Sequence, residues 1–483
     1  MKLALKFASG PLVFLILYSL PSEELSPAGL RALAVFGWMV MWWIARPVPW
    51  GISSLLPLLL FPALGLMSIT QTVSRYGQNI FFWIMGTILM GYAIHRHGLA
   101  QRFALWFLSL PGVGKSTNRL CFGFMLVTGV ISMHISDAAT VAMMIPVGVS
   151  LSSFVRSLTG SGSAHRSNFG AFLALGAMYA SAVGGIATIA GVPYNALSIA
   201  LLEKFTGRTL GWFNWMLAGV PIFLAGLFTL YYLLRLFLPP EIPAIPGGEA
   251  FIRKEREKLG PFSPGERATF FVFVVMISLF TLPPLLGLAL GPAHPVNRWM
   301  GTALPIWTVP IVVLFLLFCT PVNWSRGEFI LSWREAVEHS PWDIMLMCAA
   351  AVAVTDTLME FGFVELIGTW MKQMGIGPRA IPFVGAYLMA FSTNLFSGTA
   401  ATSFFGSIFI PAAHQVGFNP ASMAMIIPNV AVGLMVPWSG AVAGTAFASG
   451  EIEMKNMIRI GAVATLIFPL LVASLHILLS PFL

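Results

Sequence analysis

Charge is what this chain has least of. Asp, Glu, Lys and Arg together make up 9% of its 483 residues, where soluble domains carry about a quarter. That scarcity excludes an ordinary soluble enzyme or binding module. Cysteine is almost missing: Cys121, Cys319 and Cys348 stand singly in apolar segments. None has the paired spacing of a metal or redox site, so all three read as small core residues. The eight histidines are scattered, with no His/Asp cluster or Ser/His pair to support hydrolytic or metal chemistry, so the chain is not read as an enzyme. Wide polar stripes, which a channel would need, are also lacking.

What is present is hydrophobic. Apolar residues make up 57% of the sequence, and the mean hydropathy is +0.85. The apolar runs are continuous and near the ~20 residues a spanning helix needs, not alternating as in a β-barrel. They predict an all-α polytopic membrane protein. The net charge of +8 belongs to cytoplasmic loops, which collect Lys and Arg, and does not point to nucleic acid. The start, MKLALKFASGPLVFLILYSLPSEEL, resembles a signal peptide but lacks a clear small-x-small cleavage site. With more spans following, it reads as a retained first helix.

Eleven spans are expected, at about 8–20, 30–48, 52–66, 78–96, 168–200, 212–238, 268–290, 303–320, 342–370, 421–449 and 459–481. Two further apolar stretches, about 118–155 and 379–416, are interrupted by small and polar residues and read as re-entrant hairpins. With a cytoplasmic N-terminus, this topology leaves only Arg31, Arg75, Lys204, Arg208, Arg298, Lys372 and Arg379 outside, among 26 Lys and Arg. That asymmetry is the positive-inside pattern. The Pro/Gly-rich and then charged stretch 239–267 is read as a cytoplasmic linker, in which IRKEREKL can form a short interfacial helix. It divides an N-terminal half, 1–238, from a C-terminal half, 268–483.

The halves echo each other. QNIFFWIMGTILMGYAIHRHG (78–98) matches WDIMLMCAAAVAVTDTLMEFG (342–362), SDAAT (136–140) matches SGTAAT (397–402), and VPYN (192–195) matches VPWS (436–439). Three echoes in the same order indicate an internal duplication. Each half runs through a span, a hairpin and a helix broken by Gly and Pro: hairpin about 118–155 with broken helix about 168–200, then hairpin about 379–416 with broken helix about 421–449. In the expected topology the first hairpin opens inward and the second outward, so the repeats are inverted. Inverted repeats with broken helices are the architecture of secondary transporters. Free backbone groups at a break are tolerated where they are buried in protein or line a cavity. GGIATIAGVPYN, MVPWSGAVAGTAFASG and the two hairpin tips are therefore the expected binding region.

These motifs carry a family resemblance over nearly the whole chain. RPVPWGISSLLPLLLFPALGLMS, MHISDAATVAMMIPV, GGIATIAGVPYNAL, SWREAVEHSPWDIMLM, FSTNLFSGTAAT and AFASGEIEMKNMIRIG resemble, in order, successive motifs of the divalent anion:sodium symporters, solute carrier family 13. Among those motifs are two Ser-Asn-Thr hairpin tips and a Gly-Thr-Pro-Pro-Asn break. The resemblance implies an elevator-type transporter, usually a homodimer, that moves a small anion such as a dicarboxylate, citrate or sulfate. It implies Na⁺ ions beside each tip and no other cofactor. The expected setting is the bacterial inner membrane.

Carried over position by position, the resemblance implies a first ion site of Ser132, Ser136, Asp137 and the backbone at Gly191. It implies a second of Thr393, Ser397, Gly398 and Ser439. Substrate oxygens would meet Ser136 and Asp137 at one tip and Ser397, Gly398 and Thr399 at the other. Pro193 and Gly440 hold broken-helix positions, and Asn195 matches the Asn ending the first break. The departures fall on these same positions. Asp137 replaces a tip Asn and Ala138 a Thr, Gly398 replaces the other tip Asn, and Gly440-Ala441-Val442-Ala443 stands for the second Thr-Pro-Pro-Asn. The expected function is secondary active transport of a small anion, a dicarboxylate fitting best, coupled to Na⁺ or H⁺. The alternative is a sodium-independent anion exchanger or sulfate carrier.

Three readings of Asp137 remain open. As an oxygen ligand it suits Na⁺ better than Asn does. As a buried acid it can carry a proton, with His134 as a candidate partner. As a helix cap it accepts backbone N–H bonds. Asp356 and Glu360, late in a span, read as structural. LPGVGKSTNRL (110–120) imitates a phosphate loop, but Ser109 stands where that pattern needs Gly, and no strand precedes it.

Overall fold

The computed structural model describes residues 3–20, 25–159, 167–291 and 294–483; Lys2, the first basic residue of the leader-like start, lies outside these. Among the described residues the chain is helical almost throughout, with one two-stranded antiparallel ribbon, Pro321–Asn323 with Glu328–Phe329. Seven helices are long and apolar enough to cross a membrane, and an eighth is counted if Pro295–Ala303 and Ile306–Cys319, bent by 49°, form one span. Leu3–Ser19 and Trp50–Ala63 are shorter apolar helices. The expected 342–370 span stops at Glu360, and a separate helix, Phe363–Gln373, follows. Gly362, with φ of 88°, supplies the turn between them, a left-handed conformation that a Cβ would strain.

Local sequence explains the helix starts. Ser68 with Gln71, Ser263 with Glu266 and Ser332 with Glu335 each form a capping box, in which the hydroxyl and the longer side chain satisfy each other's backbone N–H. At the last of these, burial works to raise the pKa of Glu335. It is outweighed by hydrogen bonds from the Ser332 N–H and hydroxyl and by Arg96, 2.7 Å away, so the carboxyl sits below its usual range.

Helix Asn168–Gly185 forms the centre. Every residue from Phe169 to Gly185 is buried. Its Ala- and Gly-rich surface lets neighbouring helices approach closely, which is how membrane helices pack without a hydrophobic driving force between them. Helix Pro264–Leu290 is the opposite case: only 17% of its most apolar stretch is buried, which puts it at the periphery. Its buried first-turn carboxylate, Glu266, is held by Arg102 through bonds of 2.6 and 3.0 Å.

The linker contains the expected short helix, Gly248–Glu257, with Phe251 stacked on Phe154 at 4.3 Å. Glu249 accepts a hydrogen bond from the Gly112 N–H at 2.9 Å. A carboxylate thus fills the loop that imitates a phosphate cradle. Cys121 and Cys348 are buried, but Cys319 is exposed. It ends helix Val309–Cys319, where the ribbon begins, so the reading of all three as core residues holds for two.

Candidate functional site

The first hairpin consists of helices Thr117–Ser132 and Asp137–Thr159. Its second arm is long enough to cross a membrane alone. The tip between them is pinned to the first break, which separates helix Asn168–Gly185 from helix Pro193–Thr206. Ser132 donates to Ser181 O at 2.7 Å, and Thr188 donates to Met133 O at 2.5 Å. Asn195, fully buried, spans the break itself, donating to Gly185 O at 2.9 Å and Thr188 O at 2.8 Å. Gly191 lies so close to Gly185 that a Cβ on it would sit 2.3 Å from Gly185 O. Ser132, Gly185, Gly191 and Asn195 are therefore gathered in one place, where unwound carbonyls accumulate. Asp137 and Ser136 are half-buried at the tip. One oxygen of Asp137 accepts from Ala138 N at 2.7 Å and from the Ser136 hydroxyl at 3.5 Å. Among the described residues no Lys, Arg or His approaches the Asp137 carboxylate within 4.0 Å. Among the described residues His134 meets no acid; its ring meets Val130 O at 3.1 Å and packs edge-on to Phe273.

The second half repeats this order. Helices Ile381–Ser392 and Gly398–Val416 form a hairpin, and helices Pro420–Asn429 and Ala441–Ala448 flank a break. Ser397 caps its helix, accepting from Ala400 N at 3.3 Å. Gly433 in the break faces Ser439 and Thr393: a Cβ there would lie 2.5 Å from the Ser439 hydroxyl oxygen and 2.9 Å from Thr393 O. Thr393 and Ser439, on different segments, are thus neighbours, and both are buried. Thr399 is buried as well, whereas Gly440 is exposed, in extended backbone at φ 174°. Pro193 opens helix Pro193–Thr206 at its first position, where its missing N–H leaves no bond unmade.

The two halves clasp each other. Helix Pro193–Thr206, after the first break, packs on helix Gly398–Val416 of the second hairpin, and helix Ala441–Ala448, after the second break, packs on helix Asp137–Thr159 of the first. Glu451, 6% exposed, fastens the latter contact through Arg156 at 2.9 Å and Ser152 at 3.3 Å. All these residues, with Tyr194 and Asn394, were passed over by sequence reasoning. Asn394 joins the second tip to its break, accepting from Met435 N at 2.9 Å and donating to Ala390 O at 2.9 Å. A lone amide in an apolar run was the available signal. Asp356 pairs with Lys204 at 3.4 Å, and Glu360 with Arg75 at 2.6 Å, in keeping with structural roles.

Comparison with known proteins gives the family. The family model described as the sodium:sulfate symporter transmembrane region matches residues 3–481. The chain is 27% identical over 462 residues to the sodium-dependent dicarboxylate transporter SdcS of Staphylococcus saprophyticus, covering 94% of this chain and 86% of that one. It is 27% identical over 474 residues to SdcS of Staphylococcus aureus strain NCTC 8325, covering 96% and 88%. Among solved structures, the Alcanivorax borkumensis YdaH transporter aligns with a TM-score of 0.49 at 14% identity, covering 86% of this chain and 88% of that one. The family model spans the spans, both hairpins and both breaks alike, so the chain belongs to the sodium:sulfate symporter family, the divalent anion:sodium symporters, and is a Na⁺-coupled anion transporter of the membrane, not an enzyme.

Proposed function

We propose that the protein is a Na⁺:dicarboxylate symporter that works by an elevator movement, as a homodimer in the bacterial inner membrane with its N-terminus cytoplasmic. The observation that carries this reading is the meeting of two hairpin tips with two helix breaks. Each tip begins a helix, and helix N-termini attract anions. Each break exposes carbonyls, which suit a hard cation. In this reading Ser136, Asp137, Pro193 and Asn195 serve the substrate from one half, and Ser397, Gly398, Thr399 and Gly440 from the other. Ser132, Ser136, Asp137 and Gly191 hold one Na⁺, and Thr393, Ser397, Gly398 and Ser439 the second. The dicarboxylate preference is supported by the function of the SdcS relatives.

Asp137 is the pivot of this assignment. A half-buried carboxylate with no basic partner among the described residues suits a cation or a proton, and it would repel an anion unless neutralised. Na⁺ bound there both satisfies Asp137 and permits the anion beside it, which is a direct physical basis for coupling. The reciprocal clasp also supports an elevator. Hairpins and broken helices are locked together as one body, while helix Pro264–Leu290 stays outside.

The test is uptake of labelled succinate into proteoliposomes under a Na⁺ gradient and, separately, a pH gradient. Na⁺-driven uptake is expected, with Asp137→Asn raising the half-saturating Na⁺ concentration by about tenfold or more, because the amide keeps an oxygen ligand and loses the charge that raises cation affinity. Uptake driven by pH alone, and abolished in Asp137→Asn, would replace Na⁺ with H⁺. No uptake under either gradient would sink the dicarboxylate reading.

A further inference from the structure

Tyr194 stands where the first break meets the second tip. It occupies the first turn of helix Pro193–Thr206, directly after the first break. Its ring lies against the second tip: a Cβ at Gly398 would be 3.2 Å from Tyr194 Cε1 and 2.6 Å from Ala431 O. Ala431 belongs to the second break, between helices Pro420–Asn429 and Ala441–Ala448. One side chain from the first break thus lies against the second tip, at the point where that tip meets the second break.

Its hydroxyl is unused. Tyr194 is only 7% exposed, yet its O–H makes no hydrogen bond among the described residues. A phenol whose ring is this enclosed normally finds a partner, and the hydroxyl of Tyr194 is not sealed off, so a bound molecule can reach it. The helix start that carries it adds the positive end of the helix dipole. At the second tip, position 398 is Gly and offers no side-chain donor of its own. The 2.6 Å approach to Ala431 O leaves no room for one either.

We propose that Tyr194 is a substrate-contacting and selectivity-setting residue, whose phenol donates a hydrogen bond to a carboxylate oxygen of the transported anion between the two tips. The proposal rests on the Na⁺:anion symport reading for its setting, but not on which oxyanion is carried. The donor role belongs to the ring hydroxyl supplied by the first half, and it adds a side-chain donor at the tip where Gly398 offers only its backbone. Because the phenol is neutral, it discriminates by geometry and not by charge. It therefore favours an oxyanion that reaches both tips over one that fills only the first.

The test is Tyr194→Phe, which keeps the ring and removes the hydroxyl. Uptake by the full chain in proteoliposomes is paired with anion binding to the purified protein, using succinate, citrate and sulfate at saturating Na⁺. A hydrogen bond to a charged oxygen is expected to be worth about tenfold or more in affinity. KM and Kd for the anion should rise by that factor, while half-saturating Na⁺ and the elution profile stay those of the wild type. An unchanged KM would overturn the proposal, and so would a shift of Na⁺ and anion dependence by the same factor, since a merely structural role moves both. If the wild type takes up no Na⁺-driven succinate, the dicarboxylate assignment falls. The same Tyr-to-Phe comparison with citrate or sulfate then still decides the donor role.

Discussion

Replacing Glu451 with alanine is expected to destabilise the protein by about 3–5 kcal/mol, the usual result of removing one partner from a buried ion pair. Glu451 and Arg156 meet at 2.9 Å with side chains 7% and 15% exposed, so solvent screens the pair little. Ser152 donates to the same carboxylate and would lose its acceptor as well. Truncation of Glu451 alone takes the carboxylate away from the guanidinium, which keeps Ser153 at 3.2 Å. Removing both charges, as Arg156→Leu with Glu451→Leu, leaves no uncompensated ion, and such replacements are often neutral. Thermal unfolding of the detergent-purified protein should therefore show a large drop for Glu451→Ala and recovery of at least half of it in the double variant. Equal losses in the single and double variants would mean that the pair does not fasten the two halves.

The second large effect is expected at Asn195. Its amide nitrogen alone holds the carbonyls of Gly185 and Thr188 across the first break, and the residue is fully buried. Asn195→Ala leaves both oxygens without that donor, at about 1–3 kcal/mol each. Asn195→Asp is expected to be worse, because an ionised carboxylate accepts only and would face two carbonyl oxygens. Na⁺-driven uptake should be lost in both variants. The aspartate should also show the lower yield of monodisperse protein. Wild-type transport by Asn195→Ala would show that the break keeps its shape through Thr188, Met133 and Ser132 alone.

The fold was legible where the sequence punctuates itself. Gly-Gly at 184–185 and Val-Pro at 192–193 mark the first break because Gly weakens a helix and Pro starts one cleanly. The observed helices end at Gly185 and restart at Pro193. Ser136 and Ser397, each ahead of a small-residue run, marked the two hairpin tips. Boundaries inside long apolar runs were less legible. Composition alone joined residues 342–370, and only the left-handed turn at Gly362 divides them.

The site was legible as segments and not as contacts. Asp137, Asn195 and Ser397 stand out as polar residues in apolar surroundings. Tyr194 does not, since a tyrosine in a membrane helix is unremarkable until its ring is seen against Gly398. Glu451 and Arg156 lie 295 positions apart, and nothing local in either stretch announces the other. The neighbourhood of Thr393, Gly433 and Ser439 likewise depends on how the break folds back on the tip.

The reciprocal clasp also fixes the order in which this protein can be made. Helix Asp137–Thr159 leaves the ribosome long before helix Ala441–Ala448 exists to cover it. At synthesis rates of about 5–20 residues per second, the 295 positions separating Arg156 from Glu451 correspond to a wait of about 15–60 s. Throughout that interval the first hairpin sits in the bilayer with its eventual neighbour unmade, and the completed structure is reached only when nearly the last stretch of chain arrives. Assembly of this transporter is therefore governed by its C-terminal end. A chain truncated before residue 441 carries every span of its first half and lacks the helix that covers the first hairpin.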